Sequence, residues 1–141
     1  MYANNDYKTY ILLNRKTPLW KTLNGAFHAA LALSQRCNQE IDLCKYSTED
    51  KFETEISRYP VILLHGRHQD LKRCYMEAIN ASFESTFFLD SMVADSLEAQ
   101  QIATMKRTLD SSNLLAVSIY GPADPLSLLT KRMTLLGNNW T

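Results

Sequence analysis

Lys21, Asn24 and His28 lie within two turns of one another in "LWKTLNGAFHAALAL", residues 19–33. Separations of three, four and seven residues put them on one side of an α-helix. An ammonium there can hold an anionic group or steady a developing oxyanion. An imidazole can take up or release a proton near neutral pH. A carboxylate that would complete the set, Asp90, ends the apolar run "STFFLD", residues 85–90. Lys21, His28 and Asp90 in one cleft would bind an anion and activate water, as cleavage of an ester requires. The competing reading is a solvated polar stripe, which every amphipathic helix carries.

Three other groups invite chemistry. "HGRHQDLKRC" holds His65, His68, Asp70 and Cys74, but the spacing matches no standard ligand set, and no metal is expected. "YGPAD", residues 120–124, makes a sharp turn before a helix, where free N–H groups can hold an anion. It lacks the glycines of a Walker or dinucleotide loop. Tyr120 and Gly121 join Asn24 as candidate ligand-binding residues. Tyr120, Trp20 and Trp140 could line a pocket. Phe87 and Phe88 must face opposite sides of a strand.

These residues need elements to position them. "YKTYILLN" (7–14), "YPVILLHG" (59–66), "STFFLD" (85–90) and "NLLAVSIY" (113–120) read as four main strands. A helix opens at Thr17-Pro18, with Thr17 as cap and Leu19, Leu23, Ala26, Phe27, Ala30 and Leu33 as its core face. Lys21, Asn24, Gly25 and His28 fall in the opposite sector. A second helix covers 68–83, with Leu71, Cys74, Tyr75, Ala78 and Ile79 on one side. A third covers 93–109, with Val93, Leu97, Ile102, Met105 and Leu109 facing inward. Asp124 caps a fourth that starts at Pro125, and "TLL" near residue 135 adds a short extended piece. Within 39–58, "EIDLCKY" reads as a short edge strand and "STEDKFETEI" as loop or short helix. Alternating strands and helices imply an α/β three-layer sandwich on a mixed, mostly parallel four-stranded sheet.

The chain has 141 residues, 45% of them apolar, enough for a single domain over 1–141. Fifteen basic and fifteen acidic residues cancel, unlike the basic excess of most nucleic-acid binders. The charges are segregated, however. Lys8, Arg15, Lys16, Lys21 and Arg36 face only Asp6 within 1–36, and Glu77, Glu84, Asp90, Asp95 and Glu98 stand without a cation in 77–98. The three cysteines (Cys37, Cys44 and Cys74) form no CxxC pair and are expected as reduced thiols. "MYANNDYKTY" has no apolar h-region and no run is long enough for a bilayer, so a cytoplasmic protein without a membrane segment is expected. The sequons at Asn80 and Asn139 would then carry no sugar.

Two stretches carry a family resemblance. A strand followed by Lys21 and, seven residues on, His28-Ala29 resembles the lysine and His-Ala pair of the type 2 peptidyl-tRNA hydrolases. "AVSIYGPADPLSLLTKRMTLL" (116–136) is similar to their closing strand, Gly-Pro turn, helix and Leu-Leu tail, with Gly121, Pro122, Leu129, Thr130, Leu135 and Leu136 in place. The chain resembles still more closely the uncharacterised family called domain of unknown function 2000, over about residues 7–136. Trp20 replaces the glycine before the hydrolase lysine, and Gly25 replaces a glutamine. Asp90 stands where their functional aspartate ends a strand, but its Gly-Thr loop gives way to "SMVADSLEAQQIATMKRTLDSSN" (91–113). The resemblance implies a peptidyl-tRNA hydrolase type 2-like fold and a homodimer. It also implies a cleft of Lys21, His28 and Asp90 for a small anionic ligand or partner, without a cofactor. The alternative is a peptidyl-tRNA hydrolase or related esterase using the same three residues, with tRNA the less favoured partner.

Overall fold

The computed structural model describes residues 6–38, 40–93 and 96–137; Trp140 and the Asn139 sequon lie outside them. In chain order the elements are β1 (Tyr7–Asn14), α1 (Leu19–Arg36), β2 (Leu43–Ser47), β3 (Glu53–Ser57), β4 (Val61–Gly66), α2 (His68–Asn80) and β5 (Glu84–Leu89). A 3₁₀ turn (Asp90–Met92), α3 (Leu97–Met105), β6 (Leu114–Pro122), α4 (Ala123–Leu129) and β7 (Thr134–Leu135) complete them.

The main sheet has five strands in the order β5-β6-β1-β4-β7, not four. Only β1 and β4 run parallel; the β1–β6, β5–β6 and β4–β7 pairs are antiparallel. The expected mostly parallel sheet is therefore corrected to a mixed sheet dominated by antiparallel pairs. Apolar runs mark a strand buried on both faces but carry no direction, which the crossovers decide. The fifth strand pairs only Leu64 with Leu135 and His65 with Thr134. Residues 43–57 form a separate hairpin, β2–β3, with Cys44 opposite Ile56 and Tyr46 opposite Thr54. The acidic second arm, expected as loop or helix, is thus a strand held by cross-strand pairing.

Alternating side chains of β1 feed two cores. Tyr10 and Leu12 pack with Leu71, Cys74 and Ala78 of α2 and Leu126 of α4. Ile11 and Leu13 pack with Ala26 of α1 on the other face. Asn14, fully buried at the end of β1, gives its amide hydrogens to the Leu114 carbonyl (2.7 Å) and to Asn113 Oδ1 (3.1 Å). Its own oxygen accepts from Lys16 N–H (2.9 Å), so one side chain ties the end of β1 and the turn after it to the start of β6.

The buried stripe of α1 is Thr22, Gly25, Ala26, Ala29 and Leu33, rotated from the expected face. Leu19, Leu23 and Phe27 are exposed instead, Phe27 to 69%. The cause is the closeness of helix and sheet. A β-carbon on Gly25 would lie 2.7 Å from Phe88 Cδ1 and 3.4 Å from Leu115 Cβ. Only small residues fit where the helix meets Phe88, so Leu19, Leu23 and Phe27 fall on its flank. Gly25 consequently faces the sheet rather than the polar sector. A register shift between Phe88 and Leu89 marks a bulge where β5 meets β6.

Helix boundaries also differ from expectation. The third helix spans only Leu97–Met105 and buries none of its residues, with Leu97 71% and Met105 85% exposed. Its N-cap is Ser96, whose hydroxyl accepts from Ala99 N–H. The second helix ends at Asn80, and Ile79 on its expected inner face is exposed. Thr17 does not cap α1: its hydroxyl bonds the Asn14 carbonyl (2.9 Å) and Thr22. Asp124 does not cap α4, which starts earlier, at Ala123. The Ala123 N–H is taken by the Asp6 carbonyl (2.8 Å).

Candidate functional site

Helix α1 separates two hollows. At about 100° per residue, Lys21, Asn24, His28 and Ala32 share one flank, while Leu23, Phe27, Ala30 and Ser34 share the other. The first flank faces a cavity of about 880 Å³, bounded by α1, the edge strand β5 and α3. Asn24, His28, Gln100, Gln101 and Thr104 supply its polar groups. Phe87, Phe88, Met92, Leu97 and Met105 supply most of its apolar wall. The volume suits a small organic molecule.

Local sequence explains this arrangement. Gly25 lets α1 settle on Phe88, which draws His28 over the same ring: the two rings stack at 5.3 Å with 16° between planes. The stretch after Asp90 carries α3 to the side of the edge strand β5, where both line the hollow. It is tied back by Ser91 Oγ to Thr104 Oγ1 (2.8 Å) and by Arg107 to Asp90 (3.8 Å). Helix α3 thus forms one wall of the hollow without filling it. Sequence reasoning missed Gln100, Gln101 and Thr104; the only available signal was the run of amides in an otherwise unremarked helix.

The sequence-derived residues separate into groups. Asn24 and His28 line the cavity. Lys21 shares their flank by helical spacing, two turns before His28, but is not among the described lining residues. Its Nζ sits 5.5 Å from the Trp20 ring, and no salt bridge engages it among the described residues. Asp90, at the end of β5, is paired with Arg107 across a half-exposed contact and does not line the cavity either. Tyr120 and Gly121 belong to the far end of β6. Asp90 bonds the chain beside Leu114, and six residues of strand, roughly 20 Å, separate Leu114 from Tyr120.

That far end is closely packed. Tyr120 is buried, stacks on Tyr7 (5.7 Å) and donates its hydroxyl to the Glu40 carbonyl (3.0 Å). Burial pushes its phenol well above the usual range. Gly121 packs against Phe83, which a β-carbon would approach to 3.2 Å. Around "HGRHQDLKRC", His68 Nδ1 accepts the Leu114 N–H (3.0 Å) and Asp70 accepts the Arg67 N–H (3.0 Å). Among the described residues no group of three His, Cys, Asp or Glu side chains is placed to hold a metal ion. The three cysteines are free, with Cys37 and Cys74 buried. Burial pushes both of those thiols up to about 11.

The basic residues of the first helix and strand do not gather in one place. Lys8 and Arg15 stand at opposite ends of β1, roughly 23 Å apart at strand rise. Lys21 and Arg36 stand at opposite ends of α1, roughly 22 Å apart at helical rise. Arg36 is also occupied, by the Ser85 carbonyl (2.8 Å) and Glu84 (3.6 Å).

A family model described as protein of unknown function, DUF2000, matches residues 7–137. The chain belongs to the DUF2000 family. A solved structure of a protein of unknown function from Agrobacterium tumefaciens strain C58 is similar to it, with a TM-score of 0.81 at 13% identity. That likeness covers 95% of this chain and all of the other, and it shows a shared fold. No curated protein matches the chain. No helix among the described residues of this DUF2000 protein is long and apolar enough to cross a membrane.

Proposed function

We propose that this DUF2000 domain is a cytoplasmic small-molecule-binding module that performs no peptidyl-tRNA hydrolysis. Its ligand has a flat apolar body and an acidic end. The observation that carries this reading is the hollow between α1 and α3, with its amide, hydroxyl and imidazole groups set among aromatic and thioether walls. The described lining contains no Lys, Arg, Asp or Glu, so no ammonium, guanidinium or carboxylate meets the buried part of the ligand. The His28–Phe88 stack offers a planar platform. Lys21 lies on the same flank, about 10 Å along the helix from His28, and is the cation that an acidic end would reach.

The hydrolase alternative receives less support. A catalytic trio needs Lys21, His28 and Asp90 in one hollow, yet Asp90 is engaged by Arg107 and only His28 lines the cavity. A tRNA partner would need a broad positive field, whereas the basic residues are divided between two ends of the domain. A peptidyl-tRNA hydrolase-like scaffold, on this reading, has been turned to binding.

The test is calorimetric titration with 2-naphthoate and with its neutral amide, 2-naphthamide. Ala32→Trp, which fills the hollow from an exposed helix position, should weaken both at least tenfold. Lys21→Ala should weaken the carboxylate a few-fold and leave the amide unchanged, the size expected of a solvent-exposed ion contact. Unchanged affinity of both probes in Ala32→Trp would overturn the reading.

A further inference from the structure

The second flank of α1 borders a hollow of a different kind. The order β5-β6-β1-β4-β7 makes room for it. Helix α1 packs over β6, β5 and β1, which leaves the β4 side of that face uncovered. The space there is a cavity of about 320 Å³, with Ile11, Leu13 and Leu63 in its floor and Leu23, Phe27 and Ala30 in its wall. It runs from Leu13 to Thr9 along β1, roughly 13 Å at strand rise, and from Leu23 to Ser34 along α1, roughly 16 Å at helical rise. Its 320 Å³ spread over that length make a channel roughly 5 Å across, room for a single file of carbon atoms at van der Waals distance.

The two ends of the channel differ. Around Leu13, Leu23 and Leu63 every lining group is apolar. At the other end, beside Ile41, three hydroxyls gather, those of Thr9, Ser34 and Ser57. Ser57 is already committed to Tyr59: its Oγ donates to the carbonyl (2.9 Å) and accepts from the N–H (3.2 Å). Thr9 is not. It is only 6% exposed and lines the hollow, and its hydroxyl has no hydrogen-bond partner among the described residues. Native structures rarely leave such a group without a partner. No charged side chain lines the hollow among the described residues, and Arg58, next to Ser57, is held by Asp42.

We propose that this channel binds an unbranched aliphatic chain whose head is an uncharged hydroxyl or carbonyl group, hydrogen-bonded to Thr9 Oγ1. The threonine hydroxyl can donate to a carbonyl, or donate to and accept from an alcohol. A carboxylate head is disfavoured, because no cation lines the hollow to offset the loss of its hydration. The narrow bore selects a chain over a ring system, unlike the wider hollow between α1 and α3. An extended chain advances roughly 1.3 Å per carbon at ordinary C–C bond lengths, so about ten carbons span the floor. The chain would also cover apolar surface that the fold leaves open, at Phe27 (69% exposed) and Leu63 (41%).

Calorimetric titration of the full chain with 1-hexanol, 1-heptanol and 1-octanol tests this. Affinity should rise roughly fourfold for each added methylene. Octanoate should bind at least tenfold more weakly than 1-octanol. Thr9→Val, which keeps the shape and removes the hydroxyl, should weaken 1-octanol about fivefold, the size of one hydrogen bond. Ser34→Trp blocks the polar end from an exposed helix position and should weaken it at least tenfold with unchanged circular dichroism. Leu128→Ser, on α4 across the sheet and 70% exposed there, should leave it unchanged. Affinity that does not grow with chain length, or that neither Thr9→Val nor Ser34→Trp moves, overturns the proposal. So does octanoate binding more tightly than 1-octanol. A second copy of the chain seated on this face would show as 1-octanol affinity falling with rising protein concentration, and would overturn it equally. None of these results bears on ligand binding in the other hollow.

Discussion

Gly25→Ala sets two physical effects against each other, and the structure fixes which wins. In a helix interior, alanine is favoured over glycine by about 1 kcal/mol. By that term alone the variant would be more stable. The new methyl would lie 2.7 Å from Phe88 Cδ1 and 3.1 Å from Cγ. These are ring atoms, and the ring is only 6% exposed, with His28 stacked on it. Retreat therefore requires helix and sheet to separate or the His28 stack to break. Overpacking of this kind costs about 1–3 kcal/mol. The expected sum is a destabilisation of about 1 kcal/mol, which lowers the midpoint of a 141-residue domain by about 3 °C. Differential scanning calorimetry measures it. In a Phe88→Leu background, where a shorter and more flexible side chain stands opposite, the same change should be neutral or stabilising. If Gly25→Ala alone raises the midpoint by about 3 °C, the close seam between α1 and the sheet does not exist, and the placement of both hollows falls with it.

Further predictions concern other parts of the molecule. Asn14→Ala leaves a buried carbonyl and a backbone N–H without partners and should cost about 2–3 kcal/mol in urea denaturation; a loss below about 0.5 kcal/mol would contradict the network. Cys37 and Cys74 hold their protons up to about pH 11 because burial disfavours the thiolate. Iodoacetamide followed by intact mass should therefore modify the half-buried Cys44 first. Because these folded-state values are raised above the ordinary 9.0, their contribution to stability is complete below about pH 9 and declines as pH climbs toward 11; stability rising over that window would reverse the sign. With N-blocked aminoacyl-tRNA, release of tRNA should stay at background. Turnover abolished by both Lys21→Ala and Asp90→Asn would restore the hydrolase reading.

The sequence makes the main strands legible because long apolar runs bounded by proline, glycine and polar residues have few other uses. It places α1 and α2 well for the same reason. What it conceals is how closely a helix sits. The period of α1 is plain, but Leu23 and Phe27 look like core until Gly25, Ala26 and Ala29 are known to form the seam. Strand direction is concealed too, since the pattern of β6 is the same read either way. The hairpin at 43–57 is hidden because its alternation is mostly polar and its partner is its own other arm. Of the candidate site, Asn24 and His28 could be found from spacing alone. Tyr120 and Gly121 could not be excluded without knowing that β6 carries them to the opposite end. The amides of α3 were invisible because a short helix with no buried residue leaves no apolar period to notice.

The most direct test of the central claim is a map of where a probe binds. Titration of 2-naphthoate into ¹⁵N-labelled protein, followed by amide chemical shifts, locates it residue by residue. Shifts concentrated on Asn24, His28, Gln100, Gln101 and Thr104 are the predicted outcome. Shifts confined to the Phe27–Leu63 side of α1, or absent at millimolar probe, would show that the hollow between α1 and α3 is not a binding site.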